Sequence, residues 1–91
     1  MSAENPQLQR NEECRMTVRG YLAERNTVAQ TAATIQRRLR TEHDFTLDEV
    51  KSACAFLEGL EHVSKHFSPD GVSAHYKITS EGVLAWERSL V

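Results

Sequence analysis

Between His62 and Thr79 the apolar residues stop recurring at helical spacing and begin to alternate. Val63, Lys65 and Phe67 interleave with Ser64 and His66, and Val72, Ala74, Tyr76 and Ile78 interleave with Ser73, His75 and Lys77. A period of two belongs to extended strands with two unlike faces. Ser68-Pro69-Asp70-Gly71 separates the two runs. Pro presets φ at the second position of a turn, and Gly relaxes the exit. Two alternating runs around such a turn predict a β-hairpin. A lone hairpin is marginal in water, so this one must pack on other elements. A chain of 91 residues has room for one domain, which leaves the segment before the hairpin as its partner.

That segment reads as three amphipathic helices. From about Asn11 to Arg25, the residues Cys14, Val18, Tyr21 and Leu22 share one face. Gly20 inside this helix costs roughly 1 kcal/mol relative to Ala, which predicts a close helix crossing there. Asn26 suits a left-handed exit. Thr27-Val28-Ala29-Gln30 has the form of a capping box. It predicts a second helix with Val28, Ala32, Ile35 and Leu39 inward and Arg37, Arg38 and Arg40 crowding its end. Thr46-Leu47-Asp48-Glu49 is a second capping box. The helix it opens carries Val50, Ala53, Cys54, Leu57 and Leu60 on one face and Asp48, Lys51, Ser52, Ala55 and Glu58 on the other. After the hairpin, Thr79 or Ser80 caps a short last helix with apolar Val83, Leu84 and Trp86. Residues 1–9 are polar and are expected to form a loose tail. The expected core is Val18, Tyr21, Leu22, Ile35, Leu39, Phe45, Val50, Leu57, Phe67, Tyr76, Ile78 and Trp86.

The order helix, helix, helix, strand, strand, helix is the winged helix-turn-helix plan: α+β, mainly α, with a three-helix core, a two-stranded wing and a short C-terminal helix over residues 10–91. The stretch Thr46–Arg88 resembles winged-helix regulators of the MarR and PadR type. Glu49-Val50-Lys51, Phe56-Leu57-Glu58, Asp70-Gly71 and Tyr76-Lys77-Ile78-Thr79-Ser80-Glu81-Gly82 carry the resemblance. Small phage and prophage winged-helix proteins look similar too. About half the chain is covered, and the motif speaks to fold more than to function. Those families usually place Gly-Leu between the third helix and the wing. Here the positions hold Glu61-His62, with Gly59 two residues earlier, which predicts an early or irregular helix end.

The resemblance implies DNA binding, with the third helix in the major groove and the wing beside it. The implied contacts are Lys51 and Ser52 on that helix, Lys65, His66, His75 and Lys77 on the wing, and Arg37 and Arg38, with Arg40, at the end of the second helix. Net charge of −2 gives no general attraction to phosphate. Residues 46–62 hold one Lys against four acids, an unusual balance for a DNA-reading helix. The alternative is a protein-interaction winged helix whose acidic third helix meets a basic partner. A homodimer through the first and last helices is left open.

Catalysis and metal binding are not expected. There is no Gly-rich phosphate loop, no HExxH and no paired Cys motif. His62 and His66 are four apart, a spacing that aligns ligands only on a helix. No cofactor is implied. The start, Met1-Ser2-Ala3-Glu4, is too polar for a signal peptide, so the expected location is cytoplasmic. Cys14 and Cys54 are then expected as reduced thiols packed in the core.

Overall fold

The computed structural model describes residues 5–91. Helices α1 (Pro6–Ala23), α2 (Ala32–Leu39) and α3 (Leu47–Gly59) precede strands β1 (Val63–Phe67) and β2 (Ala74–Ile78), and α4 (Ser80–Ser89) follows. The strands pair antiparallel, Val63 opposite Ile78 through Phe67 opposite Ala74. The expected architecture is the one found. Cys14, Val18, Leu22, Ile35, Val50, Cys54 and Leu57 are the most deeply buried side chains, and Tyr21, Phe45, Val63, Tyr76 and Ile78 close the core around them. Leu39 and Trp86 pack on it half-buried.

Several boundaries differ from the sequence reading, each for a local reason. The helix begins at Pro6 inside the expected tail, because the Asn5 side chain accepts from the Gln7 and Leu8 N–H groups and Pro suits the first helical position. Residues 1–4 of that tail lie outside the described residues. Helix α1 stops at Ala23, and the chain leaves through tight turns (Arg25 N–H to Leu22 O, 3.1 Å) rather than a left-handed Asn26.

The capping box at Thr27 does not form. Gln30 instead exchanges backbone hydrogen bonds with Tyr76 at 2.9 and 2.7 Å, acting as a one-residue third strand on the open edge of β2. The Tyr21 hydroxyl donates to the Gln30 side chain at 2.6 Å. Thr31 takes over as the cap, accepting from Thr34 N–H. Helix α2 therefore starts at Ala32, and Val28, expected inward, is half exposed. Phe67, the last residue of β1 and paired with Ala74, is 61% exposed rather than core. Leu60 is the C-cap of α3 and is likewise exposed.

The second capping box is real. Thr46 Oγ1 accepts from Glu49 N–H at 3.1 Å, and Glu49 Oε1 accepts from Thr46 N–H at 2.9 Å. Glu49 also receives the Arg10 guanidinium, which reaches Asp44 as well and ties α1 to the start of α3. Hydrogen bonds from Arg10, and then from Thr46, hold the Glu49 carboxyl down at about 2.

The far end of α3 explains the missing glycine. Glu61 N–H donates to Glu58 O and His62 N–H to Leu57 O, both at 2.9 Å, the crossed pair of a Schellman ending. That ending needs a left-handed residue, and Glu61 supplies it at φ 63°. A side chain in that region costs roughly 1–2 kcal/mol. Glu61→Gly is therefore expected to stabilise the domain by about 1 kcal/mol, since the greater freedom of Gly in the unfolded chain offsets part of the gain. Urea denaturation measures it, and a loss of stability would contradict the strain argument.

Thr79 closes the same junction. Its N–H donates to His62 O at 2.9 Å and its hydroxyl to Glu61 O at 2.6 Å, while Oγ1 accepts from Gly82 N–H at 3.1 Å to cap α4. Gly20 is the expected close crossing: a Cβ there would lie 2.9 Å from Trp86 Nε1 on α4.

Candidate nucleic-acid interface

Helix α2 packs on α3, and α3 packs on α1, leaving one side of α3 uncovered. With buried Val50, Ala53, Cys54 and Leu57 as its inner side, the helical repeat puts Asp48, Ser52, Ala55 and Gly59 outermost, and all four are exposed. Three of them are small, so another surface can come close to this helix. Leu47, Lys51 and Glu58 form the flank toward α2 and the hairpin. There a groove of about 460 Å³ runs between Thr31 and Ala33 of α2, Leu47 and Lys51 of α3, and Val72 and Ser73 of the hairpin. Val72 is 80% exposed. Lys51 makes no ion pair among the described residues.

The opposite flank holds a cation that the sequence reading missed. The Arg15 guanidinium of α1 lies 3.6 Å from the Phe56 ring centroid, and Arg15 shares a cleft with Asp48 and Ser52. Stacking fixes this arginine beside α3. No linear signal marks it, because the partner is 41 positions away by number.

The hairpin divides its polar residues between two faces. Lys65 pairs with Tyr76, and Ser64 pairs with Lys77. Strand alternation therefore puts Lys65 on the inward face, 5.2 Å from the Phe67 ring centroid, and Lys77 on the outward face with Ser64, His66 and His75. The two lysines do not share a surface. The Ser68–Gly71 turn closes with Gly71 N–H to Ser68 O at 2.8 Å, and Gly71 takes φ 73°. Ser68 and the Val72 N–H both donate to Asp70, which lowers its carboxyl below the usual range.

The two arginines of α2 point different ways. Arg37 is exposed on its outer side, whereas Arg38 faces a groove of about 550 Å³ with Gly20, Tyr21, His43 and Trp86, away from the hairpin. Of the expected contacts, Lys51 and Ser52 share the uncovered side of α3, and Arg38 does not join them.

At the junction, Arg19 sits 3.2 Å from His62 Nδ1, and burial with that neighbouring cation pushes the His62 imidazole down. Cys14 and Cys54 are buried free thiols, raised by desolvation to about 11 and about 12. They pack as small apolar groups rather than react. No cluster of three metal-ligating side chains occurs among the described residues. No helix there is long and apolar enough to cross a membrane.

No protein-family model and no curated protein matches the sequence. Solved structures do match the fold. A transcriptional regulator from Clostridium thermocellum aligns at TM-score 0.73 and 17% identity, over 97% of this chain and 85% of that one. A PadR family transcription regulator from Clostridium difficile aligns at 0.69 and 16%, over 85% and 82%. MepR, a transcription regulator of the Staphylococcus aureus multidrug efflux pump MepA, aligns at 0.68 and 17%, over 82% of this chain and 52% of that one. The chain spans about half the length of MepR and of Lactococcus lactis ZitR. At such identities the likeness speaks to architecture, and it agrees with the element order and the hairpin: the chain has the winged-helix fold.

Proposed function

We propose that this domain is a DNA-binding transcriptional regulator that reads duplex DNA with α3 and braces against the backbone with the hairpin. The observation that carries the reading is the uncovered side of α3, small along its crest and flanked by Lys51 and Arg15, with the wing beside it. The neighbours in fold are themselves transcription regulators. Ser52 is the base-edge candidate, while Lys51, Arg15, Arg37 and one wing lysine are the phosphate contacts. Exposed Leu8 and Met16 on α1, with Leu84 and Leu90 at α4, supply apolar surface for a homodimer.

With so few cations, nonspecific binding should be no tighter than ~10⁻⁶ M near physiological salt, with about −0.9 of salt slope for each phosphate neutralised. Fluorescence anisotropy with a labelled duplex across a salt series measures both. Lys51→Ala and Arg15→Ala should each reduce the slope by about one. Replacing Lys65 and Lys77 together should reduce it by about one rather than two, because they leave opposite faces of the wing. Asp48→Asn should tighten binding by removing a negative charge beside the backbone. Salt-independent binding, or none, would leave this face, with Asp48, Glu58, Leu47 and Val72 exposed, to a basic protein partner.

A further inference from the structure

The hairpin register sets His66 directly opposite His75. Thr79 N–H donates to His62 O, and Ser68 N–H to Ser73 O. Every second pair between them exchanges hydrogen bonds, so His66 and His75 form such a pair, with Cα atoms roughly 5.5 Å apart. Alternation sends both imidazoles to the outward face of the wing, away from buried Tyr76 and Ile78. The Ser64 hydroxyl lies 2.8 Å from His66 Nε2.

We propose that His66 and His75 together chelate a divalent late transition-metal ion, zinc being the physiological candidate, and so staple β1 to β2. Imidazole nitrogen is a preferred ligand for such ions. Two rings projecting from directly opposed residues can reach one ion at the ~2.0–2.1 Å of a zinc–nitrogen bond. Ser64 does for His66 what an outer hydrogen-bond partner does for a metal-bound histidine. With the His66 proton on Nε2, the hydroxyl accepts from it and the Nδ1 lone pair is left for the metal. Water completes the coordination, since the face is open.

The charges around the pair are mixed. Lys77 shares the face and opposes a cation, while Asp70 places a carboxylate at the turn. Lys65 and Phe67 project from the other face. The spacing of His62 and His66 hid this pair, because the useful partner lies across the register rather than along the chain. The proposal does not depend on DNA binding.

Zinc titration of the whole chain tests it, with heat and the histidine ring resonances as readouts. One ion per chain is expected, with His66 and His75 moving and His43 not. His66→Ala and His75→Ala should each weaken binding by at least about tenfold, and Ser64→Ala by about tenfold. All three sites lie on the outer wing face, and circular dichroism checks that the variants fold. His43→Ala should leave zinc binding unchanged. Three outcomes overturn the site: no binding at tenfold excess of zinc, binding that survives loss of either histidine, or one ion shared by two chains.

Discussion

Gly82→Ala is expected to destabilise the protein severely. A Cβ at this position would lie 2.1 Å from the His62 carbonyl oxygen and 2.6 Å from Ile78 Cδ1. The first obstacle is backbone, and it cannot rotate away. That carbonyl already accepts from Thr79 N–H, and the His62 N–H completes the α3 ending. Relief requires the start of α4 to lift off the junction, with loss of the Thr79 bonds. Overpacking against side chains typically costs 1–3 kcal/mol; against a pinned carbonyl about 3–5 kcal/mol is expected, a large part of the ~5–15 kcal/mol that a domain has. Gly20→Ala is the internal control. Its obstacle is the Trp86 ring, a side chain that can shift, and Ala regains about 1 kcal/mol of helix propensity. Urea denaturation of both variants separates the cases. A Gly82→Ala loss below about 1 kcal/mol would mean that the junction is far looser than described.

Leu57→Ala should cost about 2–5 kcal/mol, as truncations of buried leucines do. Leu57 is fully buried, in the core that α1, α2, α3 and the hairpin share. Phe67→Ala is the contrast. Phe67 is the larger side chain, but its exposed position should hold the cost within about 0.5 kcal/mol. If Phe67 costs more than Leu57, the wing packs on a surface not described above.

Periodicity carried most of the fold into the sequence. Alternation marked both strands, helical spacing marked the inner faces, and Thr46 with Glu49 marked the start of α3. What stayed hidden depends on contacts between distant positions. Gln30 looks like a cap partner until the open edge of β2 claims its backbone. Phe67 obeys its strand pattern, yet nothing in the pattern says that the end of β1 stays exposed. Glu61 adopts a conformation that the sequence gives no residue-level reason to expect, although the absent glycine pointed to trouble at that place. For the interface, composition missed Arg15, whose position is set by Phe56 across a helix packing. Lys65 and Lys77 looked equivalent in the sequence, and only the register separates them.

Duplex DNA added to isotope-labelled protein, followed by amide chemical shifts, tests the proposed interface most directly. The account predicts graded, salt-sensitive shifts at Lys51, Ser52 and Ala55 along α3, at Arg15, and along the hairpin from Lys65 to His75, with Leu84–Leu90 of α4 unmoved. Shifts confined to the groove around Arg38 and Trp86, or no shifts at any salt concentration, would contradict it.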